Sequence, residues 1–142
     1  MNFELADADF LFAILFEHRD DSEIDAQISD ILISRTAPPV IAKKALGQIK
    51  KCPASFGTAR AIKLLGKIKC VEAIPAICKL FDFECSDSVY EACTALLVQM
   101  GTDFVEYVIS GFSGFSDIQK THFLLVLQDI PREETVDLFL HH

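Results

Sequence analysis

Four short segments of one pattern recur along this chain: Leu46-Gly47-Gln48-Ile49, Leu65-Gly66-Lys67-Ile68, Leu97-Val98-Gln99-Met100 and Leu127-Gln128-Asp129-Ile130. Each closes a stretch whose apolar residues return with helical period, and successive segments are 19, 32 and 30 residues apart. After the last three, a second apolar helical stretch follows with anchors at matching places: Ile74 and Ile77, Val105 and Val108, Val136 and Phe139. A unit of two such helices cannot bury its apolar faces alone, whereas units stacked in series share one continuous core. The short first spacing predicts that the helices ending at Ile49 and Ile68 pair directly as one hairpin.

Turn signals place nine helices, and no stretch shows sustained alternation of period two, so the expected class is all-α. The first is predicted from Asp7 to His18 with Phe10, Leu11, Ile14 and Leu15 buried, and the second starts at a Ser22 cap. Thr36 with Pro38 and Pro39 opens the third, because proline suits a first turn. Pro53 and Ser55 precede a fourth that ends near Lys69, and Val71–Phe81 is the fifth. Ser86 caps a sixth that stops at Gly101; Thr102–Phe112, Ser116–Asp129 and Arg132–His141 complete the set. The whole chain, 1–142, reads as one domain in which 1–35 form an N-terminal capping hairpin.

The stretch Thr58–Phe81, TARAIKLLGKIKCVEAIPAICKLF, resembles the HEAT repeat of the phycobilisome-lyase-like type, which typically reads AxxLLGxIxxxxAIPxLIxLL. Ala61, Leu64 to Ile68, Ala73-Ile74-Pro75, Ile77 and Leu80 carry the match. Residues 38–49 and 86–109 follow it more weakly, and 116–140 only in apolar spacing. The resemblance implies a HEAT-like α-solenoid of about four helical hairpins plus a C-terminal helix, with the second helix of each pair lining a concave face. It is almost silent on function, since such arrays serve as scaffolds, adaptors, lyases and inhibitors.

Composition narrows the function classes. Hydrophobic residues make up 51% and charged residues 24%, a globular balance. The longest unbroken apolar run, Phe10–Phe16, is far short of the roughly 20 residues of a membrane span. Residues 1–9 carry three acids and no Lys or Arg, unlike a secretory leader, so the expected location is the cytosol. The five cysteines, an odd number, include no CxxC, and none stands at ligand spacing from His18, His122, His141 or His142. They are expected as free thiols packed in a core, with no metal and no cofactor. No catalytic motif is present, and paired acids such as Asp20–Asp21 and Glu133–Glu134 fall where they would cap helices.

Charge is distributed in blocks within a net charge of −8: residues 1–35 net −7, 36–80 net +8 and 81–142 net −9. Such blocks can present faces of opposite sign, or can be ordinary solvated helix surface. In the repeat register, one outward position reads Lys44, Lys63, Ala95, Leu125 and the next reads Gln48, Lys67, Gln99, Asp129. Arg60, Lys63 and Lys67 share a helical stripe that could clamp phosphates or carboxylates, as could Lys44.

Three functional expectations follow. A small acidic helical protein resembles the immunity proteins that bacteria pair with basic nuclease toxins, some families of which use HEAT-like folds. That resemblance implies a non-catalytic inhibitor steered to a basic protein partner. Its candidate contacts are Asp82, Glu84, Asp87, Tyr90, Glu91, Thr94, Asp103 and Glu106. Nucleic-acid binding through the basic middle is opposed by the acidic flanks and the absence of Trp. A chromophore lyase is suggested by the repeat family's name alone, and the chain is short for a groove that holds a tetrapyrrole.

Overall fold

The computed structural model describes residues 5–17 and 22–131, and among them the chain forms eight α-helices and no strand. They are α1 (Ala8–Phe16), α2 (Ser22–Arg35), α3 (Pro38–Lys51), α4 (Phe56–Lys67), α5 (Ile74–Lys79), α6 (Asp87–Met100), α7 (Thr102–Gly111) and α8 (Asp117–Gln128). The ninth expected helix, Arg132–His141, with Val136 and Phe139, lies outside the described residues, as do the acid pairs at 20–21 and 133–134.

Local chemistry sets most helix starts. The side chains of Asp7, Ser55, Ser86 and Ser116 each accept a hydrogen bond from a backbone N–H of the first turn they precede. At Ser116 the bond is reciprocal, since Gln119 accepts from the Ser116 N–H at 3.0 Å and completes a capping box. Gly101 ends α6 at φ 55°, a left-handed turn that glycine adopts without penalty. Three starts or ends differ from expectation. The residue before α3 is Ala37, without a side-chain cap, because the two prolines that follow leave few N–H groups to satisfy. The fifth helix is shorter than Val71–Phe81: Pro75 confines the α turns to 74–79, flanked by 3-10 turns at Val71–Ala73 and Leu80–Asp82. In α1, Phe12 is buried and Phe10 is 44% exposed. Seven consecutive apolar residues make every face of α1 apolar, so packing, and not periodicity, chose which phenylalanine faces inward.

Helix α4 organises the packing. It lies against α3, α1 and α6, and its residues Gly57, Thr58, Ala59, Ala61, Ile62, Leu64, Leu65 and Gly66 are buried. Small residues on several faces let neighbours approach closely. A Cβ on Gly57 would sit 2.2 Å from the Phe16 carbonyl oxygen at the end of α1. Buried Thr58 is satisfied by donating to the Cys52 carbonyl and by contact with the Ser55 hydroxyl at 3.1 Å.

The core falls into two clusters. One joins α1 and α2 to α3 and α4 through Leu11, Phe12, Leu15, Ile28, Leu32, Ile41 and Leu64. The larger runs from Ala45 and Ile49 through α4 to α8, where Phe81, Phe104, Phe115 and Phe123 meet edge to face. Helix α6 contacts α4 on one side and α8 on another. Within the repeated segments Ile49, Leu65, Leu97, Met100 and Ile130 are buried, whereas Leu46, Ile68 and Leu127 are half-buried, so equivalent positions are not all buried alike. Their outward partners Lys44, Lys63, Ala95 and Leu125 are all exposed, as the register requires.

Candidate functional site

The basic stripe on α4 meets anions of its own chain. The Arg60 side chain is 10% exposed; its Nε lies 2.7 Å from Asp25 Oδ2 on α2, and its Nη1 donates to the Leu15 and Glu17 carbonyls at the end of α1. It therefore caps one helix and pairs with another. Lys67 stands 3.9 Å from Asp30 on α2, and Lys44 on α3 stands 3.1 Å from Asp9 on α1. Lys63 is exposed and lines a crevice of about 170 Å³ with Asp25, Ser29, Arg60 and Lys67. These three ion pairs, the ones formed among the described residues, all join the acidic N-terminal helices to the basic middle. Residues 1–80 then net only +1, and residues 81–142, at −9, account for the whole negative excess.

The acids of that second half have no such partners among the described residues. Asp87 and Glu91 are one turn apart on the exposed stripe of α6, and Asp103 and Glu106 share a face of α7. Asp82 and Glu84 stand exposed at the end of the α5 region, where Asp82 Oδ1 accepts from Ser116 Oγ at 2.6 Å. Asp87, Asp103 and Asp117 each occupy a first turn, where the helix dipole favours a carboxylate. Among the described residues of this half, none of the carboxylates is in an ion pair.

Two of the expected contact residues, Tyr90 and Thr94, are less exposed than the acids around them. Tyr90 is half-buried, with its ring near-parallel to Phe81 at 6.3 Å and to His122 at 5.5 Å. Its hydroxyl donates to the Phe83 carbonyl and accepts from the Cys85 N–H at 3.3 Å, so Tyr90 ties down the loop before α6 instead of standing free. Thr94 is also half-buried. His122 stacks on Phe81 at 4.6 Å, which makes it a packing residue at the edge of the core. No local signal announces this aromatic cluster, because its members lie 9 to 41 residues apart in sequence.

The thiols are free. Cys78 and Cys93 are fully buried, and desolvation raises both pKa values, that of Cys78 to about 12. Cys52 and Cys85 are half-buried. Among the described residues, no group of His, Cys, Asp or Glu is placed to hold a metal ion. Among the described residues, no single helix is long and apolar enough to cross a membrane; α6 and α7 pass only as a pair, and that pair bends by 100°.

Comparison with protein-family models, curated proteins and solved structures finds no match.

Proposed function

We propose that this chain is a non-catalytic protein-binding module, an acidic inhibitor of the immunity type that covers a basic protein such as a nuclease toxin domain. One observation carries the reading: Lys44, Arg60 and Lys67 of the basic middle pair with N-terminal acids, while the acids from Asp82 to Glu106 are exposed and in no ion pair among the described residues. A basic partner would be steered toward that half and bound there by Asp82, Glu84, Asp87, Glu91, Asp103 and Glu106. Tyr90 and Thr94 would support the surface from beneath. We also read the helix order as a HEAT-like solenoid, supported by the packing of α3 on α4 and by α6 contacting both α4 and α8. Nucleic-acid binding through the middle segment is disfavoured, because Lys44, Arg60 and Lys67 already face carboxylates.

The test is capture of partners from the source cell's lysate at about 0.05 and 0.5 M salt, with a charge-reversed control chain. The control carries Asp87→Lys, Glu91→Lys and Asp103→Lys. The expected result is one stoichiometric basic protein, released by salt, absent from the control and inhibited in its own nuclease assay by the native chain. Recovery of nucleic acid, or of the same proteins with the control chain, overturns the proposal.

A further inference from the structure

We propose that the apolar cavity beside α3 binds a small amphiphile with a single anionic head, of the class of a medium- or long-chain carboxylate. The cavity has a volume of about 640 Å³ and is lined by Pro38, Pro39, Ala42 and Leu46 of α3, with Ile68 and Cys70 beyond the end of α4. That size lies within the roughly 300–1,000 Å³ typical of small-molecule sites, and the mixture of apolar wall and few polar groups is equally typical. The two prolines at the start of α3 remove N–H groups from this wall, so it offers no backbone donors to a peptide there. Polar recognition falls to the rim, where Lys43 and Lys69 are exposed and neither is engaged in an ion pair among the described residues. The third charged lining residue, Glu72, accepts a contact from the Cys70 thiol at 3.7 Å. The rim therefore nets one positive charge over an apolar body, which matches a chain with one carboxylate.

A second observation singles out Lys69. It holds φ 53°, the left-handed conformation that glycine normally supplies just past a helix end. Its N–H bonds to the Gly66 carbonyl and the next N–H, of Cys70, to the Leu65 carbonyl, the paired closure of a Schellman turn. A lysine here is costlier than glycine for folding, and this residue lines the cavity. This site is on the opposite half of the chain from the acids assigned to partner binding, so it stands independently of that proposal.

The experiment titrates dodecanoate into the full chain and follows backbone amides by NMR. Saturable shifts are expected at Ala42, Leu46, Lys69 and Cys70. The double change Lys43→Gln with Lys69→Gly should weaken binding by about tenfold, the loss expected when two exposed ion pairs are removed. The glycine relieves the left-handed strain, so this variant stays folded, and its unchanged circular dichroism checks that. Dodecyltrimethylammonium, with the opposite head, should bind at least as weakly to the native chain as dodecanoate binds to the variant. Equal binding of both heads overturns the proposal. So do shifts centred instead on the exposed Ile118, Leu124 and Leu125 of α8, or shifts that depend on protein concentration and so report a second copy of the chain in the cavity.

Discussion

At the scale of single residues, two glycines separate close packing from simple helix propensity. Gly57→Ala drives a Cβ into the Phe16 carbonyl, a rigid backbone group, and should cost about 2–3 kcal/mol. Gly47→Ala, inside α3 with open space around it, should stabilise by about 0.5–1 kcal/mol. Urea unfolding of both variants checks the pair, and equal effects of one sign would refute the packing argument. Cys78 supplies a pH dependence. Its thiol stays protonated in the folded chain up to about pH 12, while the unfolded thiol ionises near its ordinary value of 9.0. Below pH 9 both states hold the proton and the full contribution is present; above it the unfolded state loses the proton first. Stability should therefore fall between those values with a slope approaching about 1.4 kcal/mol per pH unit for this thiol. Cys78→Ala should remove that part of the slope in alkaline denaturant titrations.

At the scale of elements, helix ends were the most readable feature and helix partners the least. Ser55, Ser86 and Ser116 mark starts, and Gly101 marks a stop, because capping is chemistry within four residues of sequence. Ser116→Ala removes both the α8 cap and the bond to Asp82, and should cost about 1–2 kcal/mol in thermal unfolding. The side of α1 that would be buried was not readable, since seven apolar residues in a row leave no polar mark on any face. Nor was the destination of Arg60, whose stripe with Lys63 and Lys67 looked open to an external anion. Its carboxylate lies 35 residues away on α2 and reaches it only after the N-terminal hairpin folds back. The half-burial of Tyr90 is not legible in sequence for the same reason: it is set by Phe81 and by His122 on another helix. Arg60→Met should lower stability by about 2–3 kcal/mol, since it strands Asp25 and uncaps α1, and restoring the balance with Asp25→Leu should recover part of the loss.

At the scale of the whole molecule, the hairpin of residues 1–35 contributes more than a polar cover. Its Leu11, Phe12, Leu15, Ile28 and Leu32 close one of the two apolar clusters, and Ile41 and Leu64 of the remaining helices complete it. A chain trimmed to 36–142 should therefore expose that apolar face, bind a hydrophobic dye and melt at lower temperature. The ion pairs alone carry little of this: all but Arg60–Asp25 are exposed, and added salt at about 0.5 M should change native stability by less than about 1 kcal/mol. A loss as large as that from trimming would show that charge, and not burial, holds the hairpin. The charge blocks were legible in sequence, but their outcome was not, because adjacent blocks of opposite sign can either separate or cancel.

The cancellation seen here has a consequence for encounters in solution. One half of the chain is close to electroneutral and the other holds the entire surplus of negative charge, so the molecule is electrically lopsided. A strongly cationic body drawing near exerts a torque as well as a pull. The chain turns its C-terminal half toward the visitor before any surfaces touch, and orientation is selected ahead of shape.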